Sequence, residues 1–330
     1  MQDRQLPLNP FTKGFQGSPV FELQVRRHSL ASAYWELTKP KIVLLLDFTA
    51  LMAFLVAATS FSIVGLVALI LAGTLASAGA GALNSYLDED IDRAMRRTRQ
   101  RPIPQGEISP YHALVFGVGL IAAGLLIAGW LLPSVSALFI LLGALIYVLF
   151  YTKYLKRRTT LNIVLGGSAG SCAPLAGWAA ATGNLSAAAP WLMALLVFVW
   201  TPSHFWALAM RAVGDYSKAG IPMLPVVVGE KKTAQYIALN TALLVPLSLA
   251  LVPFGRFGLI YLFLAGLMGI GMILVDMRLV FNPTKAQAWA AFKFSSPYLA
   301  IVFLAMFLDV RLSSTLSLFL ETSARTLWLI

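Results

Sequence analysis

Charged residues and cysteine are both scarce in this sequence. Only 12% of its 330 residues are Asp, Glu, Lys or Arg, whereas 58% are hydrophobic and the mean hydropathy is +0.77. A soluble domain carries about 25% charged residues, because its surface faces water. Because Cys172 is the single cysteine, an intrachain disulfide is excluded. It lies in an apolar stretch. The composition therefore indicates a chain that spends most of its length in a membrane.

Acidic residues are few even among the charged ones. The chain has 25 Lys and Arg against 14 Asp and Glu, which gives a formal net charge of +11. A basic protein can bind nucleic acid, but here the basic residues lie between apolar stretches. The preference of Lys and Arg for the cytoplasmic side of a membrane explains that distribution better. We therefore expect the lipid bilayer as a partner, and no nucleic acid.

Gaps between charged residues locate the membrane spans. Lys, Arg, Asp and Glu are absent from three long stretches, at 48–87, 108–152 and 159–210. A span needs about 20 residues, so each stretch is predicted to hold two helices joined by a tight turn. Three shorter gaps after residue 232 predict one helix each. The sequence thus predicts an all-α polytopic membrane protein with nine transmembrane helices, at 41–59, 63–87, 111–131, 135–152, 161–181, 188–211, 235–254, 257–277 and 291–310.

The charges also predict the orientation of the chain. Nearly all basic residues fall in the first tail and in alternate connections, which places the amino terminus and the large loops in the cytoplasm. With an odd number of spans, the carboxyl terminus is expected outside. We expect the membrane to be a cell inner membrane, because the amino-terminal tail lacks the features of a transit peptide.

Three segments are predicted along the chain. Residues 1–34 contain several Pro and Gly and no apolar signal region, so they predict a disordered cytoplasmic tail. Residues 35–310 form the transmembrane domain. Residues 311–330 mix Leu and Trp with Ser, Arg and Glu, which predicts an amphipathic segment at the interface.

An acidic stretch follows the second predicted span. Asn84, Asp88 and Asp92 are four residues apart, so on a helix they lie along one face, about 6 Å per step. Two carboxylates and an amide oxygen suit Mg²⁺, which completes its shell with water and phosphate oxygens. Acidic groups near a membrane are usually functional; the alternative is a solvated helix end that pairs with the following arginines. The pattern predicts a catalytic Mg²⁺ site at these three residues.

Arginines follow the acidic stretch at once. Five of them lie between residues 93 and 101. The guanidinium group suits phosphate oxygens because it can donate two parallel hydrogen bonds. Membrane topology explains Arg93, Arg96 and Arg99 equally well. Acidic residues for a metal beside arginines for phosphate indicate a site for a magnesium-bound diphosphate.

These and later motifs resemble a known family. Asn84-x3-Asp88-x3-Asp92 runs into Met95-x-Arg97-Thr98-x-x-Arg101-Pro102, and Lys39-Pro40-Lys41 precedes the first span. Further segments are Tyr151-Thr152-x-x-Leu155-Lys156-Arg157, Pro202-x-His204-Phe205-Trp206-Ala207-Leu208 and Asp215-Tyr216-x-x-Ala219-Gly220-Ile221-Pro222-Met223. Together they resemble the UbiA superfamily of intramembrane prenyltransferases. The last two segments resemble the branch of that superfamily that farnesylates haem.

The resemblance implies a fold, an activity and its participants. The fold is a UbiA-type helical bundle. The activity is transfer of a farnesyl group from farnesyl diphosphate to a vinyl group of haem B, with Mg²⁺ as cofactor and a hydroxyethylfarnesyl haem as product. A haem A synthase is a candidate partner. The resemblance also implies a set of diphosphate-binding residues: Lys39, Arg97, Arg101, Tyr151, Lys156, Arg157, Asp215 and Lys218.

The second polar loop departs from the family pattern. Members usually carry adjacent acidic residues there, whereas this chain has Gly214 before Asp215. The resemblance implies that Asp215 is a metal ligand acting through water. The missing carboxylate at Gly214 argues against a second Mg²⁺ held entirely by the protein.

Two ionisable residues lie inside predicted spans. His204, in the sixth helix, is a candidate haem contact because histidine is a common axial ligand of haem iron. The alternative for His204 is a hydrogen-bonded residue of the core. Asp47, in the first helix, is either protonated or faces a polar cavity.

Two other functions remain open at this point. A protein of the same fold could prenylate an aromatic acid or a quinone precursor, although the haem-branch segments argue against it. A transporter of an anionic substrate would place ionisable residues near the middle of the bilayer. Here the charges cluster at one surface, which favours a one-sided active site.

Overall fold

The structure is a computed structural model that describes residues 29–327, with side chains through Ser313. Every regular element within that range is helical. The helices are α1 Leu30–Leu37, α2 Pro40–Ala57, α3 Ile63–Leu87, α4 Glu89–Ala94, α5 Pro110–Leu131, α6 Ser134–Leu145 with a π-helical continuation Ile146–Leu155, α7 Asn162–Gly166, α8 Ser168–Thr182, α9 Ala188–Arg211, α10 Val213–Lys218, α11 Leu224–Val228, α12 Glu230–Gly255, α13 Leu259–Phe281 and α14 Lys285–Leu327.

Nine spans in the described part of the chain are long and apolar enough to cross a membrane. They are α2, α3, α5, α6 with its π-helical continuation, α7 with α8, α9, α12, α13 and α14. The predicted number of spans and the all-α class are therefore confirmed. The protein is a multi-pass membrane protein.

One predicted span is interrupted, and two predicted connections differ from expectation. The fifth span is interrupted at Gly167, where Gly166, Gly167 and Ser168 provide little helix propensity. The loop predicted between the spans 188–211 and 235–254 contains α10, α11 and the first turns of α12, and the connection predicted at 278–290 shrinks to 282–284. Polar residues can continue a helix beyond the bilayer, so charge marks the membrane boundary rather than the end of the helix.

The predicted segments at the two ends of the chain are only partly within the described residues. The end predicted for the disordered tail, residue 34, lies too late in the chain, because Leu30–Leu37 is a helix with Ser29 as its N-cap. The rest of that tail, 1–28, lies outside the described residues. Helix α14 continues past residue 310 without a break. The interfacial position of 311–330 stays a prediction.

Small residues bring the helices close together. A Cβ atom at Gly79 of α3 would lie 2.5 Å from the carbonyl oxygen of Gly117 on α5, and one at Gly124 would lie 2.7 Å from the carbonyl oxygen of Ala72. Between α2 and α8, the Cα of Gly177 faces the backbone of Ala50. Close backbone packing at small residues is a main source of helix association in membranes.

Replacing Gly177 with alanine should destabilise the bundle. The new methyl group would overlap the carbonyl of Ala50, and backbone cannot move aside as a flexible side chain can. Overpacking of this kind costs about 1–3 kcal/mol, so we expect a clear fall in the thermal unfolding midpoint in detergent. Gly119→Ala is the matched control, because nothing lies within 4 Å of the Cβ position there. Equal midpoints for the two variants would contradict this packing argument.

Candidate active site

The acidic stretch lies where α3 gives way to α4. The helix is interrupted at Asp88, with φ −98° and ψ 9°. The i to i+4 hydrogen bonds nevertheless continue from Asp88 N to Asn84 O at 3.0 Å and from Asp92 N to Asp88 O at 2.7 Å. Asn84, Asp88 and Asp92 are therefore kept on one face and all three are buried. The side chain of Asp90, by contrast, is 65% exposed.

The three buried residues are held by one another and by the π-helical segment. Asn84 Nδ2 donates to Asp88 Oδ2 at 2.9 Å and to Thr152 Oγ1 at 2.8 Å. Thr152 in turn donates to the carbonyl oxygen of Tyr147 at 2.8 Å. These bonds turn the amide oxygen of Asn84 towards Lys39, whose Nζ donates to it.

Each buried carboxylate also has a cationic partner. Lys156 Nζ lies 2.5 Å from Asp88 Oδ2. Arg101 Nη1 donates to both oxygens of Asp92, at 3.0 and 2.8 Å. Burying a charge costs free energy unless it is paired, so these two pairs make the buried acidic stretch tolerable.

One acceptor in this group has no partner. Asp88 Oδ1 is buried without any hydrogen bond in the described part of the chain. A buried unpaired carboxylate oxygen is costly unless something binds it. With the amide oxygen of Asn84 and the carboxylate of Asp92 nearby, the donor set suits a hard cation such as Mg²⁺.

A second protein-held metal ion has less support. Among the residues that the structure describes, no three His, Cys, Asp or Glu side chains come together as ligands for one ion. Asp215 therefore does not join Asp88 and Asp92 in such a group. Its Oδ2 accepts a hydrogen bond from the backbone N–H of Arg97 at 3.3 Å. Gly214 is exposed beside it.

Lys39 is positioned by the sharp corner between α1 and α2. Its backbone is left-handed, with φ +53°, at the point between the end of α1 at Leu37 and Pro40, where the next helix starts. Gly81 of α3 packs under this corner, since a Cβ there would lie 3.1 Å from the carbonyl oxygen of Thr38. Burial, with a smaller contribution from the positive charge of Arg101, lowers the pKa of Lys39 to about 7. A bound anion beside Lys39 would favour its protonated form.

The other predicted diphosphate-binding residues divide into two sets. Tyr151 stacks on Tyr147, with ring centroids 5.8 Å apart, and both lie in a cavity wall beside Lys39. Arg157 instead makes two hydrogen bonds of 2.6 Å to Asp90 and one of 2.9 Å to the carbonyl oxygen of Leu87. The hydrogen bond from Arg157 holds the pKa of Asp90 below its usual value. Lys218 lies in the same exposed groove as Asp90 and Arg157.

A cavity of about 470 Å³ opens beside Lys39 and Tyr147 and continues between the spans. Its wall is formed by residues of α2, α3, α6 and its π-helical continuation, α7, α8, α9 and α14, and is mostly apolar. Gly166 and Gly167, in the break between α7 and α8, belong to this wall. Such a cavity has the size and character of a site for an apolar ligand.

His204 lies in the wall of this cavity. Its ring stacks on Trp200 with centroids 4.4 Å apart, and Phe292 lies at the same distance. Nδ1 is 2.6 Å from Ser295 Oγ, and that hydroxyl donates its only proton to the carbonyl oxygen of Phe292 at 2.8 Å. With the hydroxyl proton assigned to Phe292, Nδ1 carries the ring proton and Nε2 keeps the lone pair.

Some residues of the site could not be identified from the sequence. Tyr147 accepts a weak hydrogen bond from Lys39 at 3.4 Å and packs under its cation. Thr152 fixes the amide of Asn84, and Ser295 fixes the ring of His204. Tyr147 precedes Tyr151 by about one helical turn, and Thr152 belongs to the motif at 151–157, but neither signal indicates the contacts that these residues make. Nothing in the sequence marks Ser295.

Comparison with known proteins gives consistent matches over most of the chain. The model of the UbiA prenyltransferase family matches residues 46–307. Protoheme IX farnesyltransferase 1 of Cenarchaeum symbiosum is 49% identical over 281 residues, which is 83% of this chain and 94% of that protein. Protoheme IX farnesyltransferase of Metallosphaera sedula is 44% identical over 275 residues, with coverage of 83% and 95%.

Solved structures agree at the level of the fold. One, of a digeranylgeranylglyceryl phosphate synthase, has a TM-score of 0.70 and 22% identity and covers 85% of this chain and 98% of that chain. Another, of a UbiA homolog from Archaeoglobus fulgidus bound to GPP and Mg²⁺, has a TM-score of 0.60 and 18% identity, with coverage of 83% and 99%. From the family match and from relatives of this similarity, the chain belongs to the UbiA prenyltransferase family.

Proposed function

We propose that this chain transfers the farnesyl group of farnesyl diphosphate to a vinyl group of haem B. The reaction depends on Mg²⁺, releases diphosphate and gives haem O, a hydroxyethylfarnesyl haem. The observation that carries the proposal is the buried group Asn84, Asp88 and Asp92, which is joined to the wall of an apolar cavity by the hydrogen bond from Lys39 to Asn84. The names of the relatives support haem as the acceptor.

The polar end of the cavity suits the leaving group. When the carbon–oxygen bond of farnesyl diphosphate ionises, both electrons stay on the diphosphate, which must be stabilised. Lys39 supplies positive charge in the cavity wall, Arg101 and Lys156 supply more beside Asp92 and Asp88, and bound Mg²⁺ would add its own. The carboxylates that now pair with these cations would turn to the metal ion as the cations turn to diphosphate. Arg97, Arg157, Asp215 and Lys218 are proposed as an outer set at the rim.

The apolar part of the cavity suits the rest of the reaction. A farnesyl cation reacts with water unless water is kept away, and the aromatic and aliphatic wall does this. The vinyl group of haem then supplies the electron pair for the new carbon–carbon bond. His204 is the proposed contact for haem, because the lone pair of Nε2 has no hydrogen-bond partner among residues 29–313 and the ring lies in the cavity wall.

The distribution of charge supports an active site that faces the cytoplasm. The acidic stretch, its cationic partners and the groove of Asp90, Arg157 and Lys218 lie at one end of the bundle. Arg311 lies at the other end, where it donates to the carbonyl oxygens of Leu55 and Ala58 at the end of α2. By the positive-inside rule the end richer in basic residues is cytoplasmic. The inner membrane as location and a haem A synthase as partner stay predictions.

Product analysis tests the proposed function. Purified protein in detergent would be incubated with haem B, farnesyl diphosphate and Mg²⁺, and the haem would be analysed by chromatography and mass spectrometry. We expect haem heavier by one farnesyl group and one hydroxyl group, and no product when a chelator removes the metal. Unmodified haem under these conditions would contradict the proposal. Substrate accumulation inside protein-containing vesicles would then favour the transporter.

Removing the Lys39 ammonium should weaken the binding of farnesyl diphosphate. A hydrogen bond to a charged group contributes about 1.5–3 kcal/mol, so Lys39→Ala should raise the KM for farnesyl diphosphate by about 10-fold or more. The KM for haem should change little. Lys231→Ala is the matched control, because Lys231 is exposed at the start of α12. An unchanged KM for farnesyl diphosphate in Lys39→Ala would remove Lys39 from the site.

A further inference from the structure

One polar patch in the cavity wall has no role in the steps above. Asp47 of α2 and Ser77 of α3 line the cavity among mostly apolar residues. Thr74 of α3 donates its hydroxyl to Asp47 Oδ2 at 2.7 Å. Oδ1 of Asp47 lies over Gly73, where a Cβ atom would be 3.4 Å away. No protein donor to Oδ1 and no ion-pair partner of Asp47 is found among residues 29–313, so one carboxylate oxygen is left for a ligand in the cavity.

The depth of Asp47 separates it from the diphosphate end. It follows Lys39 by eight residues along α2, which corresponds to about 12 Å along the helix axis. The diphosphate and its first carbon would lie between these two levels. Asp47 therefore lies further along α2 in the cavity wall than Lys39, away from the metal ligands.

The proposed reaction needs such a group. As the C1–O bond of farnesyl diphosphate breaks, its electron pair leaves with diphosphate, and the vinyl π electrons form the bond to C1. The vinyl carbon next to the porphyrin ring is then electron-poor. A water molecule donates a lone pair to that carbon and must lose one proton to become the hydroxyl group. No oxidant or reductant enters this balance.

We propose that the Asp47 carboxylate holds this water molecule and accepts its proton, with Thr74 as the residue that positions the carboxylate. Asp47 touches the reacting water and is in this sense catalytic, whereas Thr74 acts through Asp47. The negative charge of Asp47 also stabilises the neighbouring cation before water adds. This inference rests on the proposed function, since it assigns the step that follows carbon–carbon bond formation.

The chain contains a matched pair that serves as a control. Asp276 of α13 accepts a hydrogen bond from Thr241 Oγ1 of α12 at 2.5 Å, so it has the same kind of partner as Asp47. Asp276 is only 1% exposed and does not line the cavity. Asp276→Asn therefore removes a similar intramembrane carboxyl group without reaching the substrates.

The test compares the products of the two variants. In Asp47→Asn the cation should lose a proton instead of gaining water, so farnesylated haem lighter by one water should replace the hydroxylated product. The rate of formation of hydroxylated haem should fall by about 100-fold or more, as for loss of a general base. Asp276→Asn should keep the wild-type product ratio. In ¹⁸O-labelled water, the wild-type hydroxyl group should carry the label.

The outcomes separate this inference from the proposed function. If the wild-type protein does not farnesylate haem, the proposed function fails. If it does, and Asp47→Asn gives hydroxylated haem at the wild-type rate and ratio, the role of Asp47 is overturned. If Asp47→Asn fails to fold, Thr74→Val is the deciding variant. A shift towards the lighter product in Thr74→Val that is reversed in Thr74→Ser supports the inference. An unchanged ratio of hydroxylated to lighter product overturns it.

Discussion

Asp88→Asn should lower the rate of farnesyl transfer by about 1000-fold, as expected when a group that stabilises the transition-state charge is lost. The substitution keeps the size of the side chain but removes the charge that pairs with Lys156 and replaces one of the two carboxylate oxygens with an NH2 group, which cannot bind a cation. The measurement is kcat with haem B and farnesyl diphosphate as substrates, over a range of Mg²⁺ concentrations. Any residual activity should need more Mg²⁺.

Glu89→Gln is the matched control for this prediction. Glu89 is the next residue, and its carboxylate pairs with Arg93 on the surface at 2.6 Å. Exposed pairs of this kind contribute little to stability, so the variant should keep its activity and its Mg²⁺ dependence. Wild-type kinetics in Asp88→Asn, or an equal loss in Glu89→Gln, would show that the buried acidic stretch is not the metal site.

His204→Ala should remove the proposed contact to haem iron and change the absorption spectrum of bound haem. The wild-type protein should give the Soret band of histidine-ligated ferric haem, and the variant should lose it. Haem affinity should fall by about 10-fold or more, because even partners that only orient a metal ligand contribute that much. Free imidazole should restore the spectrum by occupying the vacated position.

Two further variants make the ligand assignment specific. Ser295→Ala removes the acceptor that keeps the proton on Nδ1, so it should weaken haem binding while the band of histidine ligation remains. His112→Ala should change nothing, because His112 is exposed at the start of α5. A wild-type spectrum in His204→Ala would return His204 to the alternative, a hydrogen-bonded residue of the core.

The spans could be predicted from the sequence because the bilayer imposes a strong pattern. A helix that crosses the bilayer needs about 20 apolar residues. Because charged residues are so few in this chain, each group of them marks a place where one apolar stretch ends and the next begins. The break at Gly167 and the π-helical segment Ile146–Leu155 could not be predicted in this way. They depend on how neighbouring spans pack, as in the contact between Gly166 and the ring of Tyr151.

In the candidate site, too, the residues that are close in the sequence could be predicted, whereas those that come together only in the fold could not. Asn84, Asp88 and Asp92 are close in the chain, so their spacing alone placed them on one face. Their partners come from distant elements: Thr152 lies 68 residues from Asn84, and Ser295 lies 91 residues from His204. The spacing of residues along the sequence cannot predict contacts between such distant residues. The engagement of Arg157 with Asp90, away from the cavity, likewise depends on the fold of the rim.

The measurement that tests the account most directly is a competition between acceptors. Purified protein would receive labelled farnesyl diphosphate and Mg²⁺ together with haem B and 4-hydroxybenzoate in the same reaction, and both acceptors would be separated and analysed. We expect label in haem alone, as a hydroxyethylfarnesyl product that is absent from Asp88→Asn. Label in 4-hydroxybenzoate with haem unchanged would contradict it and identify an aromatic prenyltransferase of the same family.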